Sequence, residues 1–315
     1  MINVLVSCTN KKSSPPLASL HLENYGSIPP ENVQQRWKEN LASAAPSKKA
    51  CDLYQGKWYT VLRQDKYSSL NIQTHIISAG LGFLSSQTLI PSYSCTFTKN
   101  SIDSIPKAEE KGVAQQWWES LGGLEDFKKQ FAKQHNPLLI CALPNSYLQP
   151  IQQALKWFVS HFSSTNLIIL CSGKHQGRYP QLKQSWISLE HRMSNEIGGS
   201  FGNLSVYALC WLLEQAETET DISLPFAKTV FANLSKKVAN QPSKLTPGKK
   251  QTEQQVLTWL HSELTAKSLP SSATAALREF RKQGFGFEEK RFRKLYKSAI
   301  TKASEESTFT QSKLF

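Results

Sequence analysis

The sequence predicts an α/β protein, with three layers built around a four-stranded, mostly parallel sheet and a small helical domain at the C-terminal end. Two observations carry this. Four short apolar runs, Ile2–Ser7, Gln73–Ser78, Leu138–Leu143 and Asn166–Cys171, are bounded by turn formers. Segments of helical composition, such as 113–131 and 147–162, separate them, and strands alternating with helices imply parallel pairing. The last two runs are almost uninterruptedly apolar, as central strands buried on both faces are. Within 147–162, Leu148, Ile151, Leu155 and Phe158 recur at three- and four-residue steps and form one buried stripe.

The strand exits are more telling than the strands. They read Cys8-Thr9-Asn10-Lys11-Lys12, Ala79-Gly80-Leu81-Gly82, Pro144-Asn145-Ser146-Tyr147 and Ser172-Gly173-Lys174-His175-Gln176-Gly177-Arg178. In open α/β sheets, ligands bind in the crevice at the carboxyl ends of the strands. Four polar exits on one edge would line such a crevice, although polar turns at strand ends are also ordinary.

Residues 1–235 read as one α/β unit. Residues 236–253, rich in Lys, Gln and Ser with two Pro and one Gly, read as a linker. A compact helical module is expected over 254–302. It would start with Val256, Leu257 and Leu260; Ser271 and Ser272 would cap a second helix carrying Leu277 and Phe280. Gly284 and Gly286 would end that helix before a third containing Phe292, Leu295 and Tyr296. Residues 303–315 read as a flexible tail.

Charge points to a polyanion. Over 315 residues, 37 Lys and Arg face 24 Asp and Glu, a formal charge of +13, which suggests nucleic acid. Between residues 278 and 302, nine Lys or Arg stand against three Glu. Arg281, Lys282, Lys290, Arg291, Arg293, Lys294 and Lys297 are the expected phosphate contacts, joined by Lys11 and Lys12; a plainly solvated helical surface would read the same way. No apolar stretch approaches the ~20 residues that span a bilayer. Met1 runs directly into a strand, without a charged leader or cleavage site, so a cytoplasmic protein is expected. Six scattered Cys without a C-x-x-C pair, and seven scattered His, suggest neither disulfides nor a metal, and no cofactor is expected.

Several constellations could carry chemistry. Ala50–Tyr59 packs Asp52 with Tyr54, Trp58, Tyr59 and Gly56. A carboxylate beside aromatic rings suits a pocket that stacks a flat base and stabilises a cationic sugar. A capping Asp with rings in the core fits equally well. Ile90–Phe97 could form a lid in which Tyr93 stacks and Thr96 donates a hydrogen bond, or a proline turn before an edge strand. Asn145 could read a base edge, since an amide both donates and accepts. His175 and Arg178 could hold a phosphate or a leaving base. Gly198–Ser205 leads into an apolar helix and could cradle an anion, yet matches no nucleotide fingerprint. Cys8 is a weaker candidate nucleophile, having no base at informative spacing.

The runs Ser7–Lys12, Ala50–Gly56, Ser78–Gly82 and Pro91–Tyr93 resemble, in order, a bacterial family related to the peroxide-stress DNA-binding proteins and, more distantly, to the uracil-DNA-glycosylase superfamily. Leu277–Gly284 with Phe287–Phe292 resembles a helical module fused to such domains. The resemblance implies a sheet of uracil-glycosylase-like topology. It also implies a likeness to anti-phage DNA glycosylases that excise modified cytosines, such as glucosylated hydroxymethylcytosine. This chain departs from the glycosylase pattern in two places: Asn10 stands where a water-activating Asp is usual, and Ser172-Gly173-Lys174-His175 replaces a His-Pro-Ser motif. Asp52, with Asn10, is then the expected catalytic pair. Tyr54 and Tyr93 would stack the base, Ser78 and Gly80 would line its pocket, and Asn145 or Asn10 would read its edge. His175 and Arg178 would hold the leaving base or a phosphate. Two other functions fit the same residues: cleavage or transfer at the N-glycosidic bond of free nucleotides or tRNA, and non-enzymatic DNA binding in stress protection.

Overall fold

The computed structural model describes residues 1–99, 101–108, 110–216, 222–241, 248–266 and 268–311, without the side chains of Phe201, Lys290 and residues 302–311. The chain divides into two compact units, Met1–Gln241 and Pro242–Phe315.

In the first unit the strands are β1 (Ile2–Ser7), β2 (Lys48–Lys49), β3 (Ile72–Ser78), β4 (Gly82–Ser85), β5 (Leu89–Ile90), β6 (Leu138–Ala142), β7 (Leu167–Ser172) and β8 (Trp186–Leu189). The helices are α1 (Pro30–Ser43), α2 (Ala50–Leu53), α3 (Lys57–Arg63), α4 (Val113–Ser120), α5 (Gly123–Ala132), α6 (Asn145–Leu148), α7 (Gln152–His161), α8 (Ser194–Ile197), α9 (Leu204–Ala216) and α10 (Leu224–Val238). Six strands form one sheet in the order β4-β3-β1-β6-β7-β8. All neighbours are parallel except β3 and β4. All four expected strands are present. Two more join them, because a Gly-Leu-Gly turn folds β4 back on β3 and a short run at Trp186 adds β8.

Val4, Leu5 and Val6, like Ile168, Ile169 and Leu170, are buried in succession, so both faces of the sheet are covered. Helices α9 and α10 pack on β6, β7 and β8, and α3 joins α9; α5 packs on β4 and on α7, with α4 beside it. Phe127, Phe131 and Phe158 cluster between α5, α7 and the sheet at ring separations of 4.7 to 6.4 Å. From β1 the chain crosses to β3 on one side, and from β6 to β7 on the other. The order of the strands therefore reverses between β1 and β6, the position where folds of this kind place ligands.

The second unit holds β9 (Lys249–Lys250), α11 (Glu253–Thr265), α12 (Ala273–Lys282), β10 (Phe285–Gly286) and α13 (Glu289–Gln311). Val256, Leu260, Leu277, Phe280, Phe292 and Tyr296 make its own core. Thr252 and Gln255 form a capping box on α11, and Ser272 caps α12. Gly286 does more than end a helix: a Cβ there would lie 2.6 Å from the Gly248 carbonyl oxygen, so β9 and β10 meet only without a side chain.

Two boundaries differ from expectation. The stretch 236–253 is not uniformly a linker: α10 continues to Val238 and β9 pairs at 249–250, while 242–247 lie outside the described residues. The tail from 303 continues α13 to Gln311, since nothing between Ala303 and Gln311 breaks a helix; only 312–315 lie outside the description. No helix among the described residues is long and apolar enough to cross a membrane.

Candidate functional site

Two neighbouring clusters occupy the carboxyl edge of the parallel strands. The first gathers the exits of β1 and β3. Ser78 Oγ accepts the backbone N–H groups of Gly80 and Leu81, at 3.2 and 2.9 Å. Both its lone pairs are thus used, so its hydroxyl donates to Tyr93 Oη, 2.6 Å away. Tyr93 in turn donates to Tyr54 Oη, also at 2.6 Å. Burial holds both phenols well above the usual tyrosine range, so they stay neutral. Trp117 and Trp37 donate their indole N–H groups to the carbonyls of Ala79 and Gly80, at 2.7 and 2.8 Å. A Cβ on Gly80 would meet the Tyr93 ring at 2.6 Å.

This cluster is filled. Tyr54 and Tyr93 are fully buried and pack edge-on with each other, with Trp37 and Tyr59 alongside. The stacking on a base expected of them from sequence is not open to them, because their faces already contact core rings. Residues 91–97 are accordingly a buried, hydrogen-bonded segment rather than an open lid. Thr96 Oγ1 lies 3.2 Å and Cys8 Sγ 3.4 Å from Tyr147 Oη, so buried side chains fill the space between the exits of β1 and β6.

Lys12 does not extend to solvent. Its Nζ donates to the Thr9 carbonyl at 2.9 Å and sits 4.4 Å above the Tyr93 ring and 5.7 Å from that of Tyr54. Burial lowers its pKa from the ordinary lysine value. Lys11 and Asn10 are exposed at the same exit.

Asp52 is exposed in the first turn of α2, with no ion pair among the described residues. The enclosed carboxylate belongs to Asp103, whose side chain is 14% exposed. Its Oδ2 accepts from Ser94 at 2.7 Å and its Oδ1 lies 3.1 Å from His21 Nδ1. Glu23 stands beyond, 3.9 Å from the same nitrogen. Asp103 also pairs its backbone with Thr96, so this dyad borders the Thr96–Tyr147 contact. Sequence reading missed it because Asp103 sits in an undistinguished polar loop and meets His21 only in the folded chain.

The second cluster lines a recess of about 110 Å³ at the ends of β6, β7 and β8. Asn145, Ser172, His175, Ser205 and Gly202 bring together two strand exits and the glycine-rich turn before α9, three separate sequence motifs. Asn145 Oδ1 accepts from Tyr179 at 3.0 Å, and Tyr179 stacks on Trp186, which fixes the amide and leaves its NH₂ as a donor. His175 Nδ1 is buried and has no hydrogen-bond partner among the described residues. Burial, then Lys174 and Arg178, lower its pKa, which favours neutral imidazole. Arg178 itself is exposed.

In the second unit, several expected phosphate contacts already have partners. Arg291 binds Glu253 at 2.7 Å, Arg293 binds Glu289 at 2.6 Å and Lys282 binds Glu279 at 2.7 Å, while Arg281 donates to the Phe287 carbonyl. Exposed pairs of this kind contribute only about 0–1 kcal/mol and exchange readily for a phosphate. Lys294 and Lys297 are exposed on α13 with no ion pair among the described residues. The Lys290 side chain lies outside the description.

Comparison with family models, curated proteins and solved structures finds no match, so the chemistry of this edge rests on its own residues.

Proposed function

We propose that this protein is a DNA glycosylase acting on a flipped, modified base, with a uracil-glycosylase-like arrangement of its parallel strands and a role in defence against phage. The observation that carries this reading is the recess holding Asn145 and His175. A closed cavity of about 150 Å³ holds benzene, so a recess of 110 Å³ is on the scale of one six-membered ring. It offers a fixed amide donor, a neutral imidazole and two hydroxyls, the groups that read a base edge. A bulky modification such as a sugar would have to project outward. The basic second unit supplies a track for phosphates.

In this reading Asp103, oriented by Ser94 and paired with His21, is the carboxylate that positions water or stabilises the sugar cation. Asp52 is too exposed for its charge to be strengthened by exclusion of water. The test incubates the protein with plain DNA and with DNA carrying glucosylated hydroxymethylcytosine, measuring released base by mass spectrometry. Asp103→Asn is expected to slow base release by about 10²-fold or more, and Asp52→Asn to leave it nearly unchanged. Tight binding with no release from either DNA would instead favour a binding protein, consistent with the filled tyrosine cluster.

A further inference from the structure

His21, Glu23 and Asp103 bring one imidazole nitrogen and two carboxylate oxygens within 4.8 Å of one another. The imidazole and Asp103 face each other at 3.1 Å, yet His21 Nδ1 and Asp103 Oδ1 are both buried atoms without a hydrogen-bond partner among the described residues. Glu23 Oε2 stands 3.9 Å from the same nitrogen. A protonated imidazole would neutralise one carboxylate and leave the other. Among the described residues neither carboxylate pairs with a lysine or arginine. The backbone builds this convergence. His21 lies between two short helical turns, and its neighbours Leu20 and Leu22 bond both backbone groups of Ser94, at 2.8 and 3.0 Å. Asp103 is fixed to the same segment by the Thr96 N–H, which donates to its carbonyl at 2.9 Å. Ser94 Oγ then donates to Asp103 Oδ2, which leaves Oδ1 towards the imidazole.

We propose that His21 Nδ1, Asp103 Oδ1 and Glu23 Oε2 form a binding site for a divalent transition-metal ion of the zinc type. Zinc bonds of about 2.0–2.2 Å at tetrahedral angles place ligand atoms about 3.3–3.6 Å apart. The separations of 3.1 and 3.9 Å at the imidazole bracket that span. Glu23 is exposed, so its side chain is free to close on an ion. An imidazole with two carboxylates suits zinc or manganese; calcium and magnesium sites are built from oxygen alone. Ser94 takes the outer position, orienting a ligating carboxylate through its second oxygen. Three protein ligands leave a fourth position for water, the arrangement of catalytic rather than structural zinc. The scattered histidines gave no metal signature in sequence, because Asp103 reaches His21 only in the folded chain. The inference goes beyond the glycosylase reading, in which Asp103 acts through its carboxylate alone, and stands or falls without it.

The experiment uses the full chain, stripped of metal with a chelator and titrated with Zn²⁺ by isothermal calorimetry in the absence of DNA. All six cysteines are buried, so in the folded chain they do not compete for the ion. The expected result is saturation at one ion per chain. His21→Ala and Asp103→Asn should weaken binding by about 100-fold, and Ser94→Ala by about 10-fold, the scale of losing an outer partner. On the wild-type protein, substoichiometric Mn²⁺ should broaden the His21 ring signals first in NMR spectra. That measurement decides the matter even if the variants misfold. No saturable binding would reduce the site to an ordinary His21–Asp103 ion pair and overturn the proposal. Undiminished binding in both ligand variants, or broadening that starts at another histidine, would overturn it as well. Because no DNA is present, the outcome is independent of base release. Base release by a chain that binds no zinc would uphold the glycosylase reading and sink the metal site.

Discussion

At the residue scale, His75 gives a pH-dependence whose sign is fixed by burial. It is fully buried on β3, stacked on Phe83, and hydrogen-bonded through Nε2 to Asn3 Oδ1 at 3.1 Å. Asn3 uses its NH₂ on Gln134 and the Leu138 carbonyl, so its oxygen must accept and Nε2 carries the hydrogen. Burial pushes the His75 pKa down to about 4, against about 6.5 in an unfolded chain. The unfolded state therefore binds more protons between these values. His75 contributes stability that is fully present above pH 6.5 and is lost as pH falls towards 4, about 3 kcal/mol in all. Urea unfolding at pH 7.5 and 4.5 should show a larger loss in the wild type than in His75→Gln. Equal losses would mean that His75 is protonated, or solvated, in the folded state.

The same scale shows why individual roles were hard to read. Tyr54, Ser78, Gly80 and Tyr93 were marked by sequence, and the fold does bring them together. Their hydrogen bonds point at one another, however, and a sequence carries residue types without directions. Asp52 and Asp103 have the same chemistry. What separates them is enclosure, and enclosure comes from Ser94 and His21, partners supplied by a different part of the chain.

At the element scale, the hairpin turn between β3 and β4 packs against the aromatic cluster through Gly80. Adding a methyl group there forces the Tyr93 ring, and Trp37 at 3.0 Å, to move. Gly80→Ala is expected to cost about 1–3 kcal/mol of stability, read as a lowered urea midpoint for the first unit. It should also weaken the Ser78–Tyr93–Tyr54 chain. An unchanged midpoint would show that the turn is not packed as described. The strands were legible because each is a short β-branched or Leu-rich run bounded by turn formers, the last two almost wholly apolar; the hairpin was not, because a Gly-x-Gly exit serves equally well before a helix. The lid expected at Ile90–Phe97 failed for a related reason. Local composition suggested a lid or a proline turn, whereas Tyr93, Cys95 and Phe97 are buried, Tyr93 against Ser78 of β3 and Trp37 of α1 and Phe97 against Tyr147 of α6.

At the scale of the whole molecule, the excess of cations should appear as salt dependence. Binding that neutralises Z phosphates gives a slope of log K against log salt of about −0.9Z. Replacing both Lys294 and Lys297 by Ala should make that slope shallower by about two, measured by fluorescence anisotropy on an unmodified duplex across a salt series. A slope that does not change would remove α13 from the phosphate track. Composition alone revealed that charge, since it requires only counting. Which cations are available was decided by the fold, which pairs Arg291, Arg293 and Lys282 with carboxylates and turns Lys12 inward.

The sequence by itself determined the α/β class, four of the six sheet strands and the basic helical unit, because periodicity, apolar runs and charge are local properties of a chain. Only the tertiary structure decided the hairpin, the filled tyrosine cluster, the Asp103–His21 pair and the recess shared by Asn145, His175 and Ser205. All but the hairpin join residues tens of positions apart, and burial, hydrogen-bond direction and free space exist only once those residues meet.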